Sequence, residues 1–235
     1  MMDELIAMSL PLLFQGAKVT LMIGLAGVVA GFPLGVLLAL LRIGPRRMLA
    51  ALGDAYSAFF RGTPMLVQIF IIYYGFGQVQ FVQDTTVLWW LFGDSLHCAM
   101  MTVLLNTVAY TSEIFRGAFL AVPKGAMEAA LASGMSPGTV LRRIMYPLAL
   151  RQALPAYGNE VAIVIKESSL ASTITVLEIT GQAKRLMSET FAIIEIFAIA
   201  SALYLLINFF ALLAVRLVER QLSNSDATAH RPAII

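Results

Sequence analysis

Long apolar runs separated by short polar clusters organise this chain. A helix that crosses a bilayer needs roughly 20 mostly apolar residues, because each adds about 1.5 Å of rise through a hydrocarbon core near 30 Å thick. Windows at 19–41, 62–83, 95–115 and 194–215 meet that requirement. A fifth window, 154–179, carries Glu160, Lys166, Glu167 and Glu178, and hydropathy alone scores it poorly. An unsatisfied backbone cannot lie in lipid, however, so this polar stretch must be helical or enclosed by protein. Counted as a span, it makes the expected fold an all-α integral membrane protein with about five transmembrane helices. The pattern gives one transmembrane unit over 1–222, interrupted by a polar loop at 116–152 and followed by a polar, fraying tail at 223–235.

The first residues, MMDELIAMSL, carry Asp3 and Glu4 where a signal peptide would carry Lys or Arg, so they read as a mature N-terminal segment. Leu5, Ile6, Leu10, Leu12, Leu13 and Phe14 suit it to lie along the membrane surface.

Charge placement sets the expected orientation. Arg42, Arg46, Arg47 and Arg61 bracket the first loop, and Arg116, Lys124, Arg142, Arg143 and Arg151 fill the third. Arg216, Arg220 and Arg231 follow the last span, whereas the loop around Asp84 and Asp94 has no Lys or Arg. Only Lys18, Lys184 and Arg185 are left for the opposite side. Cytoplasmic loops carry the excess of Lys and Arg, so the N-terminus is expected outside, and the C-terminus and the 116–152 loop inside.

The 235 residues are 59% apolar and only 13% charged, which fits a protein whose surface faces lipid rather than water. One cysteine, Cys98, excludes a disulfide framework within the chain, and His97 and His230 have no partner at metal spacing. No catalytic or metal site is expected, and nothing suggests nucleic acid as a partner.

The 116–152 loop has its own local grammar. Pro123 and Gly125 break the chain, Met127 to Ser133 favour helix, and Gly134 is a natural C-terminal cap. Ser136 then serves as N-cap for a second helix with Pro137 in its first turn. Two short helices with a tight corner result. Ala129, Ala130 and Ala132 give a low-relief surface that another protein can close on, and Glu128, Arg142 and Arg143 give polar register. A headgroup-bound amphipathic loop is the competing reading.

The spacing decides between them. Glu128-Ala129-Ala130, three residues, Gly134, nine residues, Ile144, one residue, Tyr146-Pro147 resembles the EAA motif of the membrane-spanning subunits of bacterial ABC importers, with Tyr146 in place of the usual Leu. Further stretches look like the polar amino acid uptake branch, which serves histidine, lysine/arginine/ornithine, glutamine and the opines. They are Arg61-Gly62-Thr63-Pro64; Asn106-Thr107 with Tyr110 and Glu113 to Gly117; and Ala153-Leu154-Pro155 with Asn159-Glu160. The similarity runs from about Gly16 to Glu219.

This resemblance implies a multi-pass permease in a bacterial cytoplasmic (inner) membrane. Two permease chains, with a heterodimer favoured, would assemble with two ATP-binding cassette subunits and a periplasmic solute-binding protein. The loop would be a cytoplasmic coupling helix that docks on the ATPase. ATP and Mg would act through that partner, and no cofactor is expected on this chain, which lacks a GxxxxGK[ST] phosphate loop.

Charges inside a span cost on the order of 2.5–3.5 kcal/mol each on insertion scales, so Glu160 and Glu167 need a reason. Seven residues apart, they project to within about 20° of one another and roughly 10 Å apart along a helix. One carboxylate stripe suits a guanidinium, an ammonium or an α-amino group. Asn159 and Ser168 add hydrogen-bonding capacity, and Asn106 and Thr107 on the third span are further candidates for the pathway. Structural pairings compete: Glu167 with Lys166 or Arg185, Glu160 with Arg151, and a helix–helix bond for Asn106 or Thr107. Glu113 and Arg116 read as a helix-end ion pair, Arg61 as a headgroup residue, and Gly27, Gly31 and Gly35 as a close-packing ridge. The expected solute is a polar, basic amino acid or a derivative. An ion-coupled carrier or channel is the alternative, and an intramembrane enzyme built on His97 and Cys98 is disfavoured, since adjacent side chains on a helix diverge.

Overall fold

In the computed structural model, which describes residues 2–229 with side chains from 5 to 222, every regular element is a helix. The first is α1 (Met2–Leu25), which passes through a π turn (Ala26–Ala30) into α2 (Gly31–Ile43). From Leu5 to Ile43 this is a continuous helix of 39 residues, about 58 Å long at 1.5 Å each and nearly twice a bilayer core. The N-terminal segment is therefore not a separate surface helix. Leu13 and Ala17 are buried against Ile179, Ala183, Leu186 and Ile196, and that packing holds the segment in line with the first span.

The π turn precedes Pro33, and a second π turn (Leu141–Met145) precedes Pro147. A proline lacks an N–H and its ring crowds the carbonyl four residues earlier, so a locally widened turn accommodates it without breaking the helix. The Tyr157 hydroxyl donates to the Val28 carbonyl inside the first of these turns, at 3.0 Å.

The second predicted span, 62–83, is not one straight helix. An amphipathic α3 (Arg47–Gly62) meets α4 (Met65–Phe70) at a 103° bend, with the helical path then continuing to Gln78. Pro64 disfavours the helical region for Thr63, which is extended (φ −115°, ψ 143°). The buried Gln68 amide closes the corner by donating to the Phe60 carbonyl (2.8 Å) and the Thr63 carbonyl (3.0 Å). Two short helices, α5 (Gln80–Asp84) and α6 (Thr86–Phe92), lead to α7 (Ser95–Leu120), whose first turn is capped by Asp94 accepting from the His97 N–H.

α7 is the central helix. Of its most apolar window 61% is buried, against 17% for the last helix, α12 (Ile193–Ala229). The glycine ridge makes close contact possible. A Cβ on Gly27 would lie 2.6 Å from Val103 Cγ1, on Gly31 2.9 Å from Thr107 Cγ2, and on Gly35 2.5 Å from Thr111 Cβ. Gly35→Leu should therefore push α2 off α7 and destabilise the protein by about 1–3 kcal/mol or more. Thermal unfolding of the purified variant tests this, and an unchanged midpoint would refute it.

The polar loop contains α8 (Lys124–Ala132) and α9 (Pro137–Val140). Through the second π turn α9 continues into α10 (Tyr146–Glu167), which crosses α7 and α12. The fifth window, 154–179, thus ends as a helix at Glu167 but begins well upstream of 154. Beyond it lie a 3-10 stretch (Ser168–Ile174), a left-handed Thr175 (φ 67°) and α11 (Ile179–Thr190), packed between α1 and α12. Among the described residues three helices are long and apolar enough to cross a membrane, or four if the bent pair counts as one; charged α10 is not among them. The tail is helical to Ala229 rather than frayed from Ser223, and 230–235 lie outside the described residues.

Candidate coupling surface and solute path

Local chemistry builds the exposed corner of the polar loop. Gly134 has φ +81°, the left-handed conformation that a residue with a Cβ adopts at a cost. The Gly134 N–H donates to the Leu131 carbonyl (2.9 Å) and the Met135 N–H to the Ala130 carbonyl (3.2 Å). This paired pattern satisfies the last carbonyls of α8. On the far side of the corner the Ser136 hydroxyl accepts from the Thr139 N–H, and Pro137 opens α9. Glu128, Ala129, Ala132 and Gly134 face outward, with Leu131 49% exposed beside them, while Ala130 is buried against the body. Arg142 and Arg143 are exposed and form no ion pair among the described residues. The result is a small, rigid, partly apolar corner with unused charges at its edge.

The acidic stripe lies on α10. Glu160 is 5% exposed and has no hydrogen bond among the described residues, and Glu167 is half-buried, close enough for their charges to interact. Such a carboxylate is costly and marks a functional candidate. Asn159 is exposed, on another face of the helix. Ser168 is buried and gives its hydroxyl to the Ile165 carbonyl at 2.8 Å, so it offers no free donor to the stripe.

The α7 candidates are placed differently. Asn106 donates to Gln68 Oε1 (3.1 Å) and to the Phe60 carbonyl (3.3 Å), fastening the α3–α4 corner. Thr107 is 1% exposed against Gly27 and Gly31, and its hydroxyl has no partner among the described residues. The structure does not bring either together with Glu160 and Glu167 in a hydrogen-bonded set.

Two polar centres are larger than any pairing the sequence suggests. At one end of α7, Glu113 binds Arg42 (2.7 Å), Arg61 (2.9 Å) and Arg116. The Arg42 side chain, 5% exposed, also reaches Asp54 (2.7 Å), Ser112 (3.0 Å) and Ser57 (3.3 Å), so one guanidinium joins α2, α3 and α7. Arg61 therefore belongs to this cluster, and stacks over Tyr110 at 5.8 Å, instead of reaching only for headgroups. The i, i+3 spacing signalled Glu113–Arg116, but nothing local links Arg42 to a residue 71 positions on. The second centre is Glu178, 0% exposed, which caps α11 by accepting from the Thr180 (2.9 Å) and Gly181 (2.8 Å) N–H groups and from the Tyr204 hydroxyl. The sequence pattern places it within the 154–179 window.

Residues 31–224 match the family described as binding-protein-dependent transport system inner membrane component. The nopaline transport system permease protein NocM of Agrobacterium fabrum is 45% identical over 216 residues, covering 92% of this chain and 90% of that protein. The histidine/lysine/arginine/ornithine transport system permease protein HisM of Salmonella typhimurium is 38% identical, covering 88% of each. Among solved structures, an amino acid ABC transporter crystallised with histidines superposes with a TM-score of 0.80 at 29% identity, covering 92% of this chain and 96% of that one.

Proposed function

Because this chain belongs to the family of inner membrane components of binding-protein-dependent transport systems, we propose that it carries a basic amino acid or an opine-like derivative through its α10 face. It is the permease subunit of an ATP-driven amino acid or opine importer, with ATP hydrolysed on separate subunits. The observation that carries the finer reading is Glu160, a buried carboxylate without a hydrogen bond among the described residues, set on one stripe with Glu167 on the helix that runs on from the coupling corner. A guanidinium or ammonium passing that stripe would supply the missing partner.

The corner at 124–140 is the docking surface for the ATP-binding subunit. Its exposed Ala129, Leu131 and Ala132 enter a groove of the partner, with Glu128, Arg142 and Arg143 fixing register. The Arg42, Arg61 and Arg116 cluster and this corner face the cytoplasm of a bacterial inner membrane, and the Asp84–Asp94 side faces the binding protein. A second, non-identical permease completes the path. ATP and Mg are bound by the partner subunits.

Replacing Glu160 by Gln in the reconstituted complex should lower kcat/KM for arginine uptake by about ten- to hundredfold, the scale of one lost charge-assisted bond of about 1.5–3 kcal/mol. Uptake of citrulline, the neutral isostere, should change far less. Equal effects on both solutes, or none on arginine, would remove Glu160 from the path. Uptake that persists without any ATP-binding subunit would favour an ion-coupled carrier.

A further inference from the structure

A polar cavity of about 350 Å³ opens where the end of α10 meets α11 and α12. Lys166, Ser169, Thr180, Ser201 and Tyr204 supply its polar groups, and Phe197 with Ala200 supplies an apolar wall. It differs in kind from the apolar groove between α1, α10 and α12, which is lined by Leu21, Val28, Val161, Ile207 and Phe210.

Three of these polar groups are unspent; the other two, the Thr180 and Tyr204 hydroxyls, bond one another at 3.1 Å, and Tyr204 also donates to Glu178. Lys166 is exposed and forms no ion pair or hydrogen bond among the described residues. A helical serine ordinarily gives its hydroxyl to a carbonyl one turn back. Ser168 and Thr173 do so, to Ile165 and Leu170, but among the described residues Ser169 and Ser201 do not. An ammonium and two free hydroxyls therefore meet one space. Neither nearby acid bonds to Lys166, although the adjacent Glu167 is within electrostatic reach of it. Glu178 is 0% exposed with both oxygens committed to Thr180, Gly181 and Tyr204, and Glu167 lies about 100° from Lys166 around the helix.

Resting on the permease reading above, we infer that this cavity binds the carboxylate of the transported solute. An amino acid carries both charges, and each costs several kcal/mol to desolvate unless paired. The Glu160–Glu167 stripe meets the cationic end and offers nothing to the anionic one. Lys166, on another face of the same helix about 30 Å along from Tyr146, is a fixed positive charge with hydroxyls to complete the shell of a carboxylate.

The test uses Ser201→Cys in the assembled permease–ATPase complex in lipid nanodiscs. Cys98, the one native cysteine, is 0% exposed, so background labelling is low. The readout is the rate of modification by a negatively charged methanethiosulfonate divided by the rate for a positively charged one. Adding Lys166→Gln should lower that ratio about tenfold, the Coulombic scale for unit charges several Å apart near a protein surface. Arginine should protect the cysteine from the anionic reagent, and argininamide, which lacks the carboxylate, should not. A ratio insensitive to Lys166, or equal protection by both ligands, would overturn the assignment. So would a cysteine already blocked in nanodiscs and freed in detergent, which would mark a phospholipid phosphate as the occupant. ATP-driven uptake by the wild-type complex is measured alongside, and its absence would count against the permease reading separately from the chemistry of the cavity.

Discussion

Gly134→Val should abolish ATP-driven uptake while leaving the membrane-embedded helices folded. The left-handed backbone at φ +81° costs a residue with a Cβ about 1–2 kcal/mol, and a β-branched side chain more. No neighbour would clash with an added Cβ, since nothing lies within 4 Å of that position, so the penalty is conformational and confined to the corner. Relaxing φ would break the Gly134–Leu131 and Met135–Ala130 bonds, fray α8 and rotate Glu128 and Leu131 relative to Arg142. Docking would weaken by about tenfold or more, since each 1.4 kcal/mol is a factor of ten. Three measurements read this out: capture of the ATP-binding subunit, ATPase stimulation and uptake. All three should fall together in Gly134→Val, with a milder loss in Gly134→Asn, because Asn tolerates the left-handed region. Full capture and uptake in Gly134→Val would show that the corner is not the docking surface.

Glu113→Ala should destabilise the protein by about 1–3 kcal/mol, because Arg42 is buried while Glu113 itself keeps 25% of its side chain exposed to screening. The asymmetry of the cluster makes Glu113 the sensitive member. Without it, Arg42 stays buried with only Asp54, itself 59% exposed, as a counter-charge, while Arg61 and Arg116 repel it. Without Arg42, by contrast, Glu113 keeps two guanidinium partners. Glu113→Ala should therefore lower the thermal midpoint in detergent more than Arg42→Met does, and Glu113→Gln should fall between. The reverse order, or a Glu113→Ala midpoint equal to wild type, would mean the cluster is solvated and energetically minor. Because Arg42 ties α2 and α3 to the end of α7 just before α8, uptake by the surviving Glu113→Gln protein should also show weaker coupling to ATP hydrolysis.

The sequence alone determined what depends on a few neighbouring residues. Capping at Ser136 and Gly134, the proline turn at Pro137 and the Gly27–Gly31–Gly35 ridge are decided within one or two helical turns, where backbone dihedrals and hydrogen bonds are local. The apolar windows, the EAA pattern and the side bias of Lys and Arg are likewise legible without a fold. Tertiary structure alone decided where α10 stops, how sharply the chain turns at Thr63–Pro64, and that the N-terminal segment continues the first helix. It also decided which charges are compensated. Hydropathy scores Glu113, Glu178 and Glu160 alike as carboxylates in apolar surroundings. Packing gives the first three guanidinium partners, the second a shell of N–H and hydroxyl donors, and the third none among the described residues. The cost of a buried charge depends on partners drawn from distant parts of the chain, and only the folded arrangement brings those partners within reach.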